Sequence, residues 1–360
     1  MKIHRIALLV SLLSLCAVHF SFGYVDTLRI GKVKVSGYAD LYYGYDFNRP
    51  ENGDHPYAVS ASRHARPSVN LTYLSFAYEA AAWRIRFAPA AGSYMRMNYA
   101  SEPRGFKNIF EANTGLRLSA LKNIWLDLGI FGSPFTNESP VSRDQLTYTR
   151  SFSAEFVPYY LSGARLSWPI NPRVELNVYA LTGWQQIKDQ NHSKALATQL
   201  LVKPRKDFLI NWNTYLGKES SAGNPYQGMR FFNDIYFVRT SGRWTTSSCF
   251  YLGFQEQSGN KFKAWWQGNL IAKYLITHRL SVSGRLEYFK DKHAVQIISL
   301  SGLPRFETFS SSLGLNIQLM QRLMYRAEFR LFNSNTKSYI RSAIPVRNDI
   351  WATQNITWWF

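Results

Sequence analysis

Charged residues in this chain recur at every second position, with apolar residues between them. Arg173, Glu175 and Asn177 interleave with Val174, Leu176 and Val178, and Arg285 and Glu287 with Leu286 and Tyr288. Arg326, Glu328 and Arg330 alternate in the same way with Ala327, Phe329 and Leu331. A period of two belongs to the β-strand, whose side chains point alternately to opposite faces. One face of each segment is therefore wet and the other apolar. The chemistry open to such a set is electrostatic: cations lining an aqueous passage concentrate anions through their field. Continued along the chain, the alternation gives the wet face Lys34, Arg84, Arg86, Arg96, Arg117, Arg165, Arg173, Lys273, Arg285, Arg326 and Arg330. Asp40, Asp46, Asp127, Glu175, Glu287 and Glu328 oppose them. Arg84, Arg86, Arg117, Arg285, Arg326 and Arg330 are the residues expected to set the field. Arginine and glutamate at i, i+2 share a face, so salt-bridge ladders between neighbouring strands are expected beside the net positive excess.

Covalent chemistry finds little support. A hydrolase of this kind needs a serine beside a histidine that a polar partner orients. His55, His64, His192, His278 and His293 fall in connections or at strand edges, none with a serine placed to serve as nucleophile. Glu175, Glu287 and Glu328 each sit beside an arginine, a poor setting for a general acid. The histidines read as isolated and Cys249 has no companion beyond the first residues, so no metal centre, disulfide or cofactor is expected. Nor does the basic excess suit nucleic acid, because single cations scattered over strands form neither a groove-reading helix nor a stacking platform.

The elements that must position the charges are strands, and the alternation places them near 32–46, 67–80, 82–98, 110–119, 123–132, 157–169, 173–185 and 194–203. Eight more follow near 208–217, 229–240, 243–257, 262–276, 279–291, 306–319, 323–336 and 350–360. Short turns alternate with long connections, which is the layout of an antiparallel up-and-down barrel. About sixteen strands are expected, with fourteen to eighteen open. An even number leaves both termini at the short-turn side, taken as periplasmic, with the longer loops extracellular. A charge facing hydrocarbon costs about 2–4 kcal/mol at mid-membrane, so the charged faces must line the interior. The longest connection, 133–156, carries Glu138, Arg143, Asp144 and Arg150. It can fold inward as a constriction or lie on the outer surface. Phe232, Trp265, Phe289 and Trp359 are bulky residues of inward parity that could narrow the lumen.

The two ends of the chain agree with a membrane barrel. Lys2 and Arg5, the apolar run from Ile6 to Val18, and Ser21-Phe22-Gly23 form a secretory leader over residues 1–23, leaving 24–360 as the barrel. Without Lys2 and Arg5 the formal charge falls from +19 to +17. At the other end Ile356, Trp358 and Phe360 share one face of a last strand that stops without a tail. A strand of this kind resembles the terminal strand of Gram-negative outer-membrane barrels, which the assembly machinery reads. Tyr43, Tyr45, Trp83, Trp168, Trp184, Trp244, Trp351 and Trp358 lie towards strand ends, as aromatic girdles would.

Further motifs narrow the class. The run Val35-Ser36-Gly37-Tyr38-Ala39-Asp40-Leu41-Tyr42-Tyr43-Gly44-Tyr45-Asp46-Phe47-Asn48-Arg49-Pro50 is one. Others are Leu74-Ser75-Phe76-Ala77-Tyr78-Glu79, Ala91-Gly92-Ser93-Tyr94, and Glu102-Pro103 before Lys107-Asn108-Ile109-Phe110-Glu111-Ala112-Asn113-Thr114-Gly115. Asn123-Ile124-Trp125-Leu126-Asp127-Leu128-Gly129-Ile130-Phe131, Pro158-Tyr159-Tyr160 and Leu181-Thr182-Gly183-Trp184-Gln185 complete the order. Together they resemble the β-barrel porin-2, OmpL-like, family, common in Bacteroidota. The resemblance implies an outer-membrane porin-like barrel and brings no substrate or catalytic set with it. The expectation is passive diffusion of small hydrophilic solutes, anions preferred, through a basic lumen. Lipid and lipopolysaccharide, the assembly machinery and a second copy of the chain are the expected partners. The alternative is an occluded barrel that serves as an adhesin or as a scaffold for a partner protein.

Overall fold

Sixteen strands close into one antiparallel barrel in the computed structural model, which describes residues 28–220, 228–257 and 261–360. The expected leader lies outside the described residues. A short strand β1 (Leu28–Ile30) folds back on the start of β2 (Val33–Asp46), the first strand of the ring. There follow β3 (Pro67–Glu79), β4 (Trp83–Ala91), β5 (Ile109–Ser119), β6 (Ile124–Gly132), β7 (Tyr160–Asn171), β8 (Val174–Leu181) and β9 (Ala195–Arg205). The second half runs through β10 (Phe208–Lys218), β11 (Met229–Ser241), β12 (Trp244–Gln257), β13 (Lys261–Leu275), β14 (Leu280–Asp291), β15 (Phe306–Met320) and β16 (Leu323–Ser334). A small hairpin, β17 (Tyr339–Arg341) and β18 (Ile344–Val346), interrupts the last long connection before β19 (Asn348–Trp359). Pairing of β19 with β2 closes the ring, so each wall strand has a partner on both sides, as a backbone in lipid requires.

The alternation behaves as read. On β14, Ser281, Ser283, Arg285, Glu287, Phe289 and Asp291 are buried inside, while Leu286 is 52% exposed outside. Leu116, Leu270, Leu313 and Phe329 belong to the outer, lipid-facing side. Trp83, Trp168, Trp244 and Trp358 stand exposed on that side near the short turns, where a girdle is expected. Trp184 and Trp351 depart from it. Trp351 has the inward parity of β19 and is 2% exposed, and Trp184 lies beyond the end of β8, packed against Phe135, Tyr215 and Phe232 inside the barrel.

Two strands are shorter than expected. The segment 82–98 ends as a strand at Ala91, and α1 (Ser93–Asn98) follows. Gly92 makes the break: its φ is +129°, and a Cβ there would strike the backbone of Asn70. The helix then buries Tyr94 and Met95 within the barrel. Likewise 173–185 stops at Leu181, and a loop carries Trp184 inward.

The closing seam ends on Phe360. Its amide donates to the Gly37 carbonyl at 3.1 Å and its carbonyl accepts from the Gly37 amide at 3.2 Å. A Cβ on Gly37 would run into the Phe360 ring, so the absence of a side chain there seats the last residue. Ile356 and Trp358 point outward along the same strand, and the Trp358 ring lies 5.2 Å from that of Phe360. Gly37→Val is expected to destabilise the closed barrel by about 1–3 kcal/mol, read as a lower urea midpoint of the heat-modifiable band on a gel. The double variant Gly37→Val/Phe360→Ala relieves the clash and should lose less than the sum of the single changes. Strict additivity would show that ring and backbone do not meet.

Candidate functional site

The connection from Ser133 to Phe156 enters the barrel. It has little regular structure, a 3-10 turn at Ser142–Asp144 and the short α2 (Phe152–Glu155), yet Thr147, Ser151 and Ala154 are fully buried. A loop can be buried only if its backbone groups find partners, and the wall supplies them. Arg285 on β14 donates to the Thr149 carbonyl at 2.6 Å and to the hydroxyls of Thr147 and Thr149 at 3.1 and 2.9 Å. Arg326 on β16 donates to the carbonyl and the hydroxyl of Ser142, each at 2.7 Å. Arg330 donates to the Arg150 carbonyl at 2.8 Å. The carboxylates take the loop amides: Glu328 accepts from Thr149 at 2.6 Å and Glu287 from Phe152 at 2.7 Å.

The same residues pair with each other. Arg285 lies 3.3, 3.5 and 3.2 Å from Glu138, Glu287 and Glu328, and Arg330 forms an ion pair with Glu287. The span from β14 to β16 crosses β15, whose inward residues Ser310, Ser312 and Gly314 are small enough to let the long side chains meet over them. Arg285 and Arg330 thus face three carboxylates and Arg326 faces the loop, at 1%, 3% and 1% exposure respectively. The expected field-setting residues at these three positions anchor the loop, and Arg285 and Arg330 are paired with carboxylates there. In this network the pairing runs along β14, from strand to loop and across an intervening strand; elsewhere adjacent strands pair as expected, Arg165 with Asp127 and Arg86 with Glu111.

Above this network the outer half of the lumen is filled. Tyr179, Tyr215, Phe232, Tyr251, Trp265, Phe289, Phe306, Phe332 and Trp351 project inward from β8 round to β19 and form one apolar cluster. Phe135, Phe152 and Val157 of the inward loop join it, as do Val295 and Ile297 of the loop after β14 and Tyr339 of β17. Three of the bulky residues flagged in the sequence, Phe232, Trp265 and Phe289, belong to this cluster, and Trp359 lies beside Arg143 nearer the short turns. Glu155 of α2 is buried as well and accepts from the Val59 amide of the first long loop at 2.7 Å. Burial raises its carboxyl from the ordinary 4.5 to about 7, against the lowering pull of Arg150 and of the Val59 amide.

Below the loop, at the short-turn end, a cavity of about 680 Å³ is lined by Arg29, Lys32, Lys34, Arg84, Arg86 and Arg165, with Glu79 and Glu111 as its acids. Arg84 and Arg165 both grip Asp127, at 2.7 and 2.9 Å, and that carboxylate is itself wholly buried. Arg86 pairs with Glu111 at 2.9 Å but remains half exposed. A second cavity of about 470 Å³ shares Lys34, Arg86 and Glu111 and is roofed by Val141, Arg143 and Asp144 of the inward loop. Arg117 sits apart, at the turn, bound to Asn123 and lying over the Trp125 ring. Arg96 is exposed on α1, Arg173 is exposed in a turn, and Lys273 faces inward on β13.

Sequence reasoning missed two features. Asp234, inside β11, accepts from the Thr136 amide at 3.0 Å and adds another wall carboxylate to the loop's anchors; its parity on β11 was the available signal. His55 is not isolated: it lies between Asp46, nine residues before it, and Asp349, which is far away in sequence and which nothing local could have found. Cys249 is buried, with the Ser153 hydroxyl 3.7 Å from its sulfur.

Solved barrels of known proteins superpose on this one with little sequence in common. An outer membrane protein of Vibrio cholerae, OmpT, is 8% identical with a TM-score of 0.58, over 93% of this chain and 100% of that one. An anion-selective porin from Comamonas acidovorans is 10% identical with a TM-score of 0.61, over 91% and 99% of the two chains. The outer membrane channel DcaP of Acinetobacter baumannii is 10% identical with a TM-score of 0.61, over 91% and 97%. At such identities the likeness is one of fold. No curated protein sequence matches the chain. The closed ring, the inward loop and the basic lower lumen accord with the match of residues 32–357 to the family described as Putative beta-barrel porin-2, OmpL-like, and the chain belongs to that family of outer-membrane barrels.

Proposed function

We propose that this barrel is a porin through which small hydrophilic solutes diffuse, anions preferred, and that the loop 133–156 determines how far it is open. The basic lower cavity carries this reading. Six cations line it against Glu79 and Glu111, and with Asp127, which Arg84 and Arg165 share, six positive charges stand against three negative ones. A wet cavity with low-dielectric walls focuses such a field on an entering ion. Lys34, Arg84, Arg86 and Arg165 set the preference, and Arg285, Arg326 and Arg330 act through the loop. The short turns face the periplasm and the long loops the outside. Residues 1–23 are removed on export, and lipopolysaccharide and the assembly machinery are partners of the wall and of the last strand. Several copies of the chain can associate in the membrane, as the trimer form of Vibrio cholerae OmpT does.

The filled outer half favours one other reading, an occluded barrel serving as an adhesin or as a scaffold for a partner protein. Conductance separates the two. Arg285→Ala leaves Glu138, Glu287 and Glu328 without their common cation, and breaking a buried pair costs about 3–5 kcal/mol. The loop should leave the lumen, and single-channel conductance in a planar bilayer should rise above that of the refolded wild type. Silence from both proteins, each folded by heat modifiability, would leave the occluded barrel as the reading.

Under a KCl gradient the conducting barrel should show a reversal potential of anion-selective sign. Lys34→Glu with Arg86→Glu should move that potential towards cation selectivity. An unchanged potential would take the lower cavity out of the mechanism.

The loop should also respond to pH through Glu155. The docked loop binds this proton more tightly than a free loop, whose carboxyl has the ordinary value of 4.5, because burial raises the docked one to about 7. The contribution to docking is therefore complete below pH 4.5 and lost as pH rises through about 7. Conductance is expected to increase between pH 5 and pH 8 in the wild type and to vary less in Glu155→Gln. Equal pH profiles would assign the response to another group.

A further inference from the structure

We propose that Asp46, His55 and Asp349 form a binding site for a divalent transition-metal ion of the zinc class, which fastens the first long loop to the seam of the barrel. Asp46 is the last residue of β2 and Asp349 the second of β19, so the two carboxylates come from the two strands that close the ring. His55 reaches them from the loop between β2 and β3. All three donor atoms lie within 4.8 Å of one another, and all three residues are buried.

The carboxylates are oriented as metal ligands are. In each, one oxygen is held by a backbone amide: Oδ1 of Asp46 accepts from Asn48 and Oδ1 of Asp349 from Ile350, both at 2.7 Å. The other oxygen faces Nδ1 of His55, at 2.8 Å for Asp46 and 3.6 Å for Asp349. The Asp46 amide donates to Nδ1 of His64, which adds an outer contact to the same carboxylate residue. The imidazole is fixed in plane by stacking on Trp351, with centroids 4.5 Å apart and an angle of 16°, and by Phe332 on its other contact. Such outer contacts are what orient ligands before an ion arrives.

One oxygen points to what is missing from a simple histidine–carboxylate pair. Oδ2 of Asp349 has no hydrogen-bond partner although its side chain is 1% exposed. A proton on Nδ1 serves Asp46 and leaves that oxygen 3.6 Å from the ring nitrogen, against the Asp46 carboxyl. An ion would serve all three. Donors about 2.0–2.2 Å from a tetrahedral ion stand roughly 3.4 Å apart. The Asp349 contact already has that spacing, and the Asp46 contact need only open as its hydrogen bond gives way to coordination. One imidazole nitrogen with two carboxylate oxygens suits zinc, cobalt or manganese, whereas calcium and magnesium favour oxygen alone. Arg330 and Arg341 stand near the group, and the Arg341 guanidinium is drawn aside to Oδ1 of Asn48 at 2.6 Å.

The test uses the refolded full barrel in detergent, stripped with a chelator and titrated with zinc chloride alone. One ion per chain is expected by calorimetry, with a rise of about 5 °C in the thermal midpoint at a hundredfold excess over Kd. Magnesium at the same concentration should leave the midpoint unchanged. Cobalt should give the visible absorption of a four-coordinate site. Asp349→Asn, which keeps the size of the side chain, should weaken binding at least tenfold, and His55→Gln should do the same. The proposal is overturned if zinc, cobalt and manganese all leave the wild type unchanged. It is equally overturned if both variants bind as the wild type does, which would place the ion on His64, His192, His278 or His293.

Discussion

An irregular loop inside a barrel must have its peptide groups satisfied, and in this protein the wall does it with charged side chains. Arginines on β14 and β16 take the carbonyls of the loop, and glutamates on the same two strands take its amides. The arrangement explains why the cations and anions come interleaved. Arginine alone would satisfy the carbonyls but bury a positive charge that nothing repays. With Glu138, Glu287 and Glu328 among them the set is close to neutral, and the loop backbone supplies the remaining partners. A consequence is that charge on the inward face is of two kinds. Where the loop covers it, charge holds the fold together. Below the loop, it lines the cavity at the short-turn end.

The barrel itself rests on a second constraint, that a backbone in hydrocarbon must pair on both sides. This made the fold legible from the residues alone. Each strand had to alternate, each charge at mid-membrane had to turn inward, and the last strand had to end at the seam. The strand ends fell close to those read from the alternation, and the exceptions have local causes. Gly92 breaks the fourth wall segment because only a glycine passes so near Asn70. Past Leu181 the periodicity continues for a few residues, but the chain has left the sheet, so Trp184 obeys tertiary packing instead of parity.

The site was legible only in part, for a related reason. Alternation says that Arg285 and Arg86 both face the interior. It cannot say which lies under a loop that comes from far away in the sequence. Glu138 meets Arg285 and Asp46 meets Asp349 only once the ring has closed and the loops have folded in. The free Oδ2 of Asp349 is a property of that juxtaposition and leaves no mark on the residues around it. Sequence periodicity thus reports the face a side chain occupies, while its partner on that face depends on contacts hundreds of residues apart.

The inward elements are also tied to one another, which bears on how the lumen could open. Glu155 of the long loop holds the Val59 amide of the first loop, and Tyr57 of the first loop donates to the Ser338 carbonyl beside β17. The Tyr57 hydroxyl in turn accepts from the Leu300 amide in the loop after β14. Four loops therefore share a chain of contacts across the apolar cluster, and their rings pack as one body. A single hinge in one loop would leave several of these groups unpartnered at once, and a buried polar group without a partner costs about 1–3 kcal/mol. On the proposed reading, an opening would therefore be cooperative, the loops moving together. It needs a perturbation at a shared contact, and Glu155, which couples two of the loops and carries a displaced carboxyl, is such a contact.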